Sequence, residues 1–158
     1  MPTPDQIRDV MLFAGLDDSE LGVVASLLKE ETFAKDEEIF HEGDPGDKFY
    51  IVDSGMVSIT LTIEGVGTEE LLYLERPAFF GEMAIIDAAP RSASAVCRKD
   101  TKLLSLDKAD FEKLIVDDTE IGNKIMIAFI RTFCTRIRKS NEKLRNYYKI
   151  HKAFEGST

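Results

Sequence analysis

From Val57 to Ile63 the chain alternates apolar and polar residues without a break: Val57-Ser58-Ile59-Thr60-Leu61-Thr62-Ile63. A period of two predicts a half-buried strand. The same style of sequence surrounds it. From about Thr32 short apolar runs alternate with turn clusters. Glu38–His41 leads through Glu42 into Gly43-Asp44-Pro45-Gly46-Asp47, and Phe49–Val52 ends at a Ser54-Gly55 turn. Gly65 and Gly67 make a hairpin turn before Glu70–Leu74, and Ser92–Cys97 and Leu103–Leu106 are two further runs. Many short strands with frequent turns predict a small sandwich or barrel. No strand–helix alternation occurs, which argues against a parallel α/β sheet.

The pattern differs at both ends. Residues 4–30 read as helical, with Asp17 or Asp18 as a cap and Leu21, Val24, Ala25 and Leu28 on one face. Pro4 and Gly15 bound a shorter segment before it. From Lys108 onward the chain is helical again, with Asp107 as a cap, and Asp117, Asp118 and Thr119 open a long last helix. Met126, Phe133, Ser140, Tyr147 and Phe154 form one heptad row, and Ile130, Ile137, Leu144 and His151 the other. Ile121, Ile125 and Phe129 suit packing against the chain's own body. The second half reaches too far for that and reads as a homodimer seam. The expected organisation is one domain over 1–158: N-terminal helices at 1–30, a β region at 31–107 and C-terminal helices at 108–158.

Composition changes this picture little, and charge changes it more. At 158 residues, 44% hydrophobic and 31% charged, the chain suits one globular domain. No apolar run approaches the ~20 residues of a membrane span, and the start has neither the basic nor the apolar region of a signal peptide. Cys97 and Cys134 are too few and too far apart for a disulfide scaffold or a metal pair, so a reduced, cytoplasmic setting fits. Residues 119–158 carry nine Lys/Arg against three Asp/Glu, a net of +6, while the other 118 residues carry eleven against twenty-six, a net of −15. An acidic body argues against general nucleic-acid binding, and any anion must be held by a local device. The basic last helix suits either an acidic partner or, more simply, a solvated face.

The candidate device is Phe80-Gly81-Glu82-Met83-Ala84-Ile85-Ile86-Asp87-Ala88-Ala89-Pro90-Arg91-Ser92-Ala93-Ser94-Ala95. Free amides at a helix start, with an arginine aimed at the same spot, form a pocket for a phosphate. An acid beside them suits a neutral hydroxyl on the same ligand. Phosphate plus hydroxyl suggests a nucleotide. Alone, Arg91 reads as an exposed loop arginine, and Glu82 equally as an acid favoured by a helix dipole.

Taken together, the stretch resembles the phosphate-binding cassette of the cyclic nucleotide-binding domain family: Phe-Gly-Glu, an apolar run, then Pro-Arg and small residues. Glu42-Gly43-Asp44-Pro45-Gly46-Asp47-Lys48-Phe49-Tyr50-Ile51-Val52, with Gly55 and Val57, resembles the family's first glycine motif. The resemblance runs from about Phe13 into the last helix. It implies a mainly β fold with flanking helices: an eight-stranded antiparallel β-roll, jelly-roll-like, with N-terminal helices, a short cassette helix and a long C-terminal helix. It further implies that Glu82 binds a ribose 2′-hydroxyl and Arg91 the cyclic phosphate. Amides of Gly81, Met83 and Ala84, with Ser92 and Ala93, would add contacts, and Val57, Leu71 and Leu74 would line the base. The last helix would act as a lid meeting the ligand through Arg136, Ser140 and Asn141. Ser140 serves equally as a polar seam position.

The expected function is therefore a regulatory module that binds a cyclic purine nucleotide, cAMP first and cGMP second, and transmits occupancy through its C-terminal helix. The alternative is a ligand-free dimerisation module working through the basic helix. No cofactor or metal is expected. Two distant cysteines cannot hold an iron–sulfur cluster, and His41 and His151 are the only histidines. No Walker, metal or Ser/Cys–His constellation signals an enzyme. The chain up to Thr158 leaves no room for a helix-turn-helix domain, so direct DNA reading is not expected. Met1 reads as a natural start, and the downstream protein partner is not identified by the sequence.

Overall fold

A computed structural model describes residues 1–157, so of the expected C-terminal region only Thr158 lies outside the described residues. Eight strands form two four-stranded antiparallel sheets. One has the order β1 (Lys29–Phe33), β8 (Thr101–Asp107), β3 (Lys48–Ser54), β6 (Phe79–Phe80). The other has the order β2 (Glu38–Phe40), β7 (Ser94–Cys97), β4 (Val57–Ile63), β5 (Gly67–Leu74). Helices α1 (Pro4–Ile7) and α2 (Asp18–Leu27) precede the roll, α3 (Glu82–Asp87) interrupts it, and α4 (Lys108–Asp117) and α5 (Thr119–Glu155) follow. This is the antiparallel roll with flanking helices expected above.

The N-terminal helical stretch is more broken than its periodicity predicts. A 3-10 turn at Met11–Phe13 separates α1 from α2. Asp17 accepts from the Glu20 amide and Glu20 reaches back to the Asp17 amide, a capping box that fixes where α2 starts. Helix α2 stops at Leu27 because Leu28 is extended, and β1 opens at Lys29, inside the region expected to be helical through residue 30. Pairing of Lys29–Phe33 with Ser105–Thr101 of β8 takes those residues. Asp107 stands at the N-cap position of α4, but its carboxylate pairs with Lys29 rather than capping. Asp118 does cap α5, accepting from the Ile121 amide at 3.1 Å.

Two apolar cores explain why β3 reads as an unbroken apolar run. Phe49 and Ile51 pack outward under the helices, with Leu104, Leu106, Phe111, Ile121, Ile125 and Phe129. Tyr50 and Val52 point into the roll with Val57, Phe80, Ala95, Cys97 and Leu103. A strand covered on both faces has no polar side to alternate. Phe129 anchors α5 to the body, with ring centroids 5.9 Å from Phe79 and from Phe111 and 6.3 Å from Phe49. Beyond Phe133, every described residue of the helix from Cys134 onward is exposed. Among the described residues no helix is long and apolar enough to cross a membrane.

Candidate functional site

The turn after β2 and the segment around α3 are stitched together through the backbone. The Gly43 amide donates to the Arg91 carbonyl at 2.9 Å, and the Arg91 amide donates to the Asp44 carbonyl at 2.8 Å. The Ser94 hydroxyl accepts from the Glu42 amide at 2.8 Å. Contact this close needs glycine at two places. A Cβ on Gly46 would overlap the Ala84 Cβ. Gly81, at φ +78°, sits in the left-handed region, and a Cβ there would lie 2.7 Å from Arg91 Nη1.

Arg91 is 5% exposed. Its Nη1 donates to the Gly81 carbonyl and its Nη2 to the Lys48 carbonyl, each at 2.6 Å. The guanidinium lies 4.1 Å from the centroid of the Phe40 ring. Nε is buried and has no hydrogen-bond partner among the described residues. Burial pulls this guanidinium below its ordinary value against the opposing pull of Tyr50, Asp47, Glu82 and Asp44. It stays cationic all the same. The fold thus holds a desolvated positive charge with a spare donor.

Glu82, 2% exposed, opens α3. Its carboxylate pairs with Arg136 Nη1 of α5. Arg136 also lies 5.0 Å from the Phe79 ring centroid, and its Nη2 donates to the Phe79 carbonyl at 3.4 Å. The short cassette helix and the long last helix are therefore joined by one ion pair.

Between them lies a cavity of about 430 Å³. Gly81, Glu82, Met83, Ala84, Arg91, Ser92 and Ala93 line one side, Leu74 the floor, and Arg136 and Ser140 the α5 side. Three other expected contacts fall outside it. Val57 is fully buried in the roll core, and Ile59, two residues along the same strand face, lines the cavity in its place. Leu71 is 45% exposed, whereas Leu72 and Leu74 line the wall. Positions 72 and 74 share a strand face and 71 cannot join them. Asn141 lies about 100° round the helix from Ser140 and is exposed outside the cavity.

The sequence reading missed Phe40, Ile59, Leu72, Phe79, Phe80, Lys139 and Lys143, which also line the cavity. Helical spacing from Arg136 would have found the lysines, at three and seven residues further on. The cavity-facing residues Arg136, Lys139 and Lys143 sit about a third of a turn round α5 from the apolar row of Ile130, Ile137 and Leu144.

The profile of the cyclic nucleotide-binding domain matches residues 30–118. A cAMP-dependent protein kinase regulatory subunit from Colletotrichum orbiculare is 36% identical over 111 residues, 70% of this chain and 28% of the relative. A CRP-like cAMP-activated global transcriptional regulator from Mycobacterium tuberculosis is 31% identical over 134 residues, 84% of this chain and 58% of the relative. The chain thus spans less than two thirds of either protein. A crystal structure of a cyclic nucleotide-binding domain from Methylobacillus flagellatus superposes with a TM-score of 0.82 at 26% identity, over 89% of this chain and 81% of that one. The matched residues begin in β1 and reach the cap of α5, and so contain both the stitched glycine turn and the Arg91 segment: this chain belongs to the cyclic nucleotide-binding domain family.

Proposed function

We propose that the chain is a regulatory module whose cavity captures a cyclic purine nucleotide, with cAMP the first candidate and cGMP the second. The observation that carries this reading is Arg91, a buried cation lining the cavity with an unpartnered Nε. The relatives' names support cAMP, and Ser92 at the cavity rim is the cassette's small hydroxyl.

Arg91 and the amides of Gly81, Met83 and Ala84 hold the cyclic phosphate, since first-turn amides of a helix have no intrahelical partner. Ser92 and Ala93 flank it. Glu82 accepts from the ribose 2′-hydroxyl. Ile59, Leu72 and Leu74 take the base, and Ser140 meets it from α5. Because Glu82 also holds Arg136, a ribose bound to Glu82 changes what holds α5. Occupancy reaches the helix by the difference in affinity between its two positions. The module itself carries out no catalysis, contacts no DNA, works in the cytoplasm and passes its signal to a protein partner.

The exposed half of α5 supports a parallel homodimer. Beside the two apolar rows, one flank of this half holds Arg136, Lys143 and Ile150, and the other Cys134, Asn141, Tyr148 and Glu155. In a parallel pair each flank faces the partner's opposite flank, so no lysine or arginine meets another. In this arrangement Asn141 stands beside the seam.

Calorimetric titration with cAMP and cGMP, beside Arg91→Ala, tests the ligand assignment. Binding by the parent chain and its loss in the variant is the expected result, a cost of about 2–5 kcal/mol for a buried charge-assisted pair. Absence of heat with either nucleotide at millimolar concentration would overturn it.

A further inference from the structure

The cavity carries more positive charge than one cyclic mononucleotide uses. Its lining holds four cations, Arg91, Arg136, Lys139 and Lys143, against the single carboxylate of Glu82. Glu82 is committed to Arg136. Arg91 is the cation assigned to the ring phosphate. Lys139 and Lys143 make no ion pair among the described residues, although the chain as a whole has a net charge of −9. They stand four residues apart on one face of α5, about 6 Å along the axis. Like charges at this spacing weaken a helix. Neither lysine is taken up by packing, since both are exposed.

We propose that Lys139 and Lys143 form a second anion subsite on the α5 side of the cavity, suited to a nucleotide that carries two phosphate groups. A cyclic dinucleotide is the ligand class that fits, with phosphodiesters on opposite sides of one ring. One meets Arg91 and the cassette amides, and the other meets the two ammonium groups one to two turns beyond Arg136. An ammonium is a compact point charge with three donors and needs no bidentate geometry, so paired flexible lysines suit a phosphate presented at a cavity mouth. The inference rests on reading the cavity as a cyclic nucleotide site.

The experiment titrates the full chain and Lys139→Ala/Lys143→Ala with cAMP, with cyclic di-AMP, and with cAMP in the presence of pyrophosphate, while circular dichroism verifies that the variant is folded. The readout is the ratio of affinities within each protein. In the parent chain cyclic di-AMP binds about tenfold tighter than cAMP or better, as one added charge-assisted contact gives, and in the double variant the ratio falls to near one. A rise in cAMP affinity with pyrophosphate in the parent only would assign the subsite to a separate anion rather than to the same ligand. Equal affinities in the parent with no effect of pyrophosphate overturn the subsite. So does a double variant that lowers both affinities by one factor. If cAMP binds and cyclic di-AMP does not, the subsite fails while the nucleotide site stands. If nothing binds, the nucleotide reading fails and takes the subsite with it.

Discussion

Arg136 and Glu82, 54 residues apart in the chain, form an ion pair that ties the last helix to the cassette. The carboxylate is almost completely buried, while the guanidinium side chain is 43% exposed. Removing the arginine therefore strands a buried charge, but the partner's exposure moderates the loss. We expect Arg136→Ala to cost about 1–2 kcal/mol in urea denaturation, below the full penalty of a broken buried pair. Arg136→Ala combined with Glu82→Gln should cost less than the two single changes summed. Strict additivity in that cycle would mean that the pair is energetically idle.

Gly81 combines a left-handed backbone with close contact to Arg91. Gly81→Ala places a Cβ in the left-handed region and against Arg91 Nη1. We expect a loss of about 1–3 kcal/mol in stability, with nucleotide affinity falling alongside it because the arginine must move. An alanine variant with unchanged melting temperature and unchanged titration would contradict the contact. At Gly65, where a Cβ meets nothing, the same exchange strains the turn and leaves the site untouched.

Cys97 gives the domain an alkaline limit. Burial pushes its thiol up, only partly offset by a hydrogen bond with Thr101. The folded state holds the proton to a higher pH than the unfolded chain does. Stability from this group is therefore complete below the unfolded value of about 8.5 and is lost as pH rises through the folded value. Denaturation midpoints between pH 8 and 10 should decline, and Cys97→Ala should flatten that decline. A thiol reagent should react with one cysteine per native chain, the exposed Cys134, and with both after unfolding.

Leu144 sits in the exposed apolar row of α5. Leu144→Asp should convert a dimer to a monomer in light scattering while leaving the far-ultraviolet signature of the roll intact. A parent chain that is monomeric at high micromolar concentration would remove the seam.

The roll was legible because most strands obey simple patterns. Phe49–Val52 is continuous because both its faces are buried, whereas Val57–Ile63 alternates although Ser58 and Thr60 are buried alongside Val57 and Ile63 is exposed. The cassette was legible because its residues are neighbours in sequence. The cavity's other walls were not. Phe40 comes from β2 in one sheet and the neighbours Phe79 and Phe80 from β6 in the other, and they meet only where the two sheets face each other. Choosing Leu71 beside Leu74 ignored strand alternation, and the bulge between Ile59 and Thr60 shifts the pairing of β4 with β5 as well. The Glu82–Arg136 pair joins distant segments, and neither partner's sequence surroundings announce the other.

The two faces of α5, one toward the cavity and one along the apolar row, make its length a matter of phase. Each residue inserted or deleted between Phe129 and Arg136 would turn everything beyond by about 100° and slide it by about 1.5 Å. A single deletion would carry Arg136 away from Glu82 and swing the apolar row out of its setting. Seven residues restore the orientation nearly but displace the lysines by two turns. Insertions and deletions between the last anchor and the first cavity contact are thus barred, while changes after Lys143 leave the cavity side untouched. Any engineered fusion that uses this helix as a rod should be joined downstream of that point.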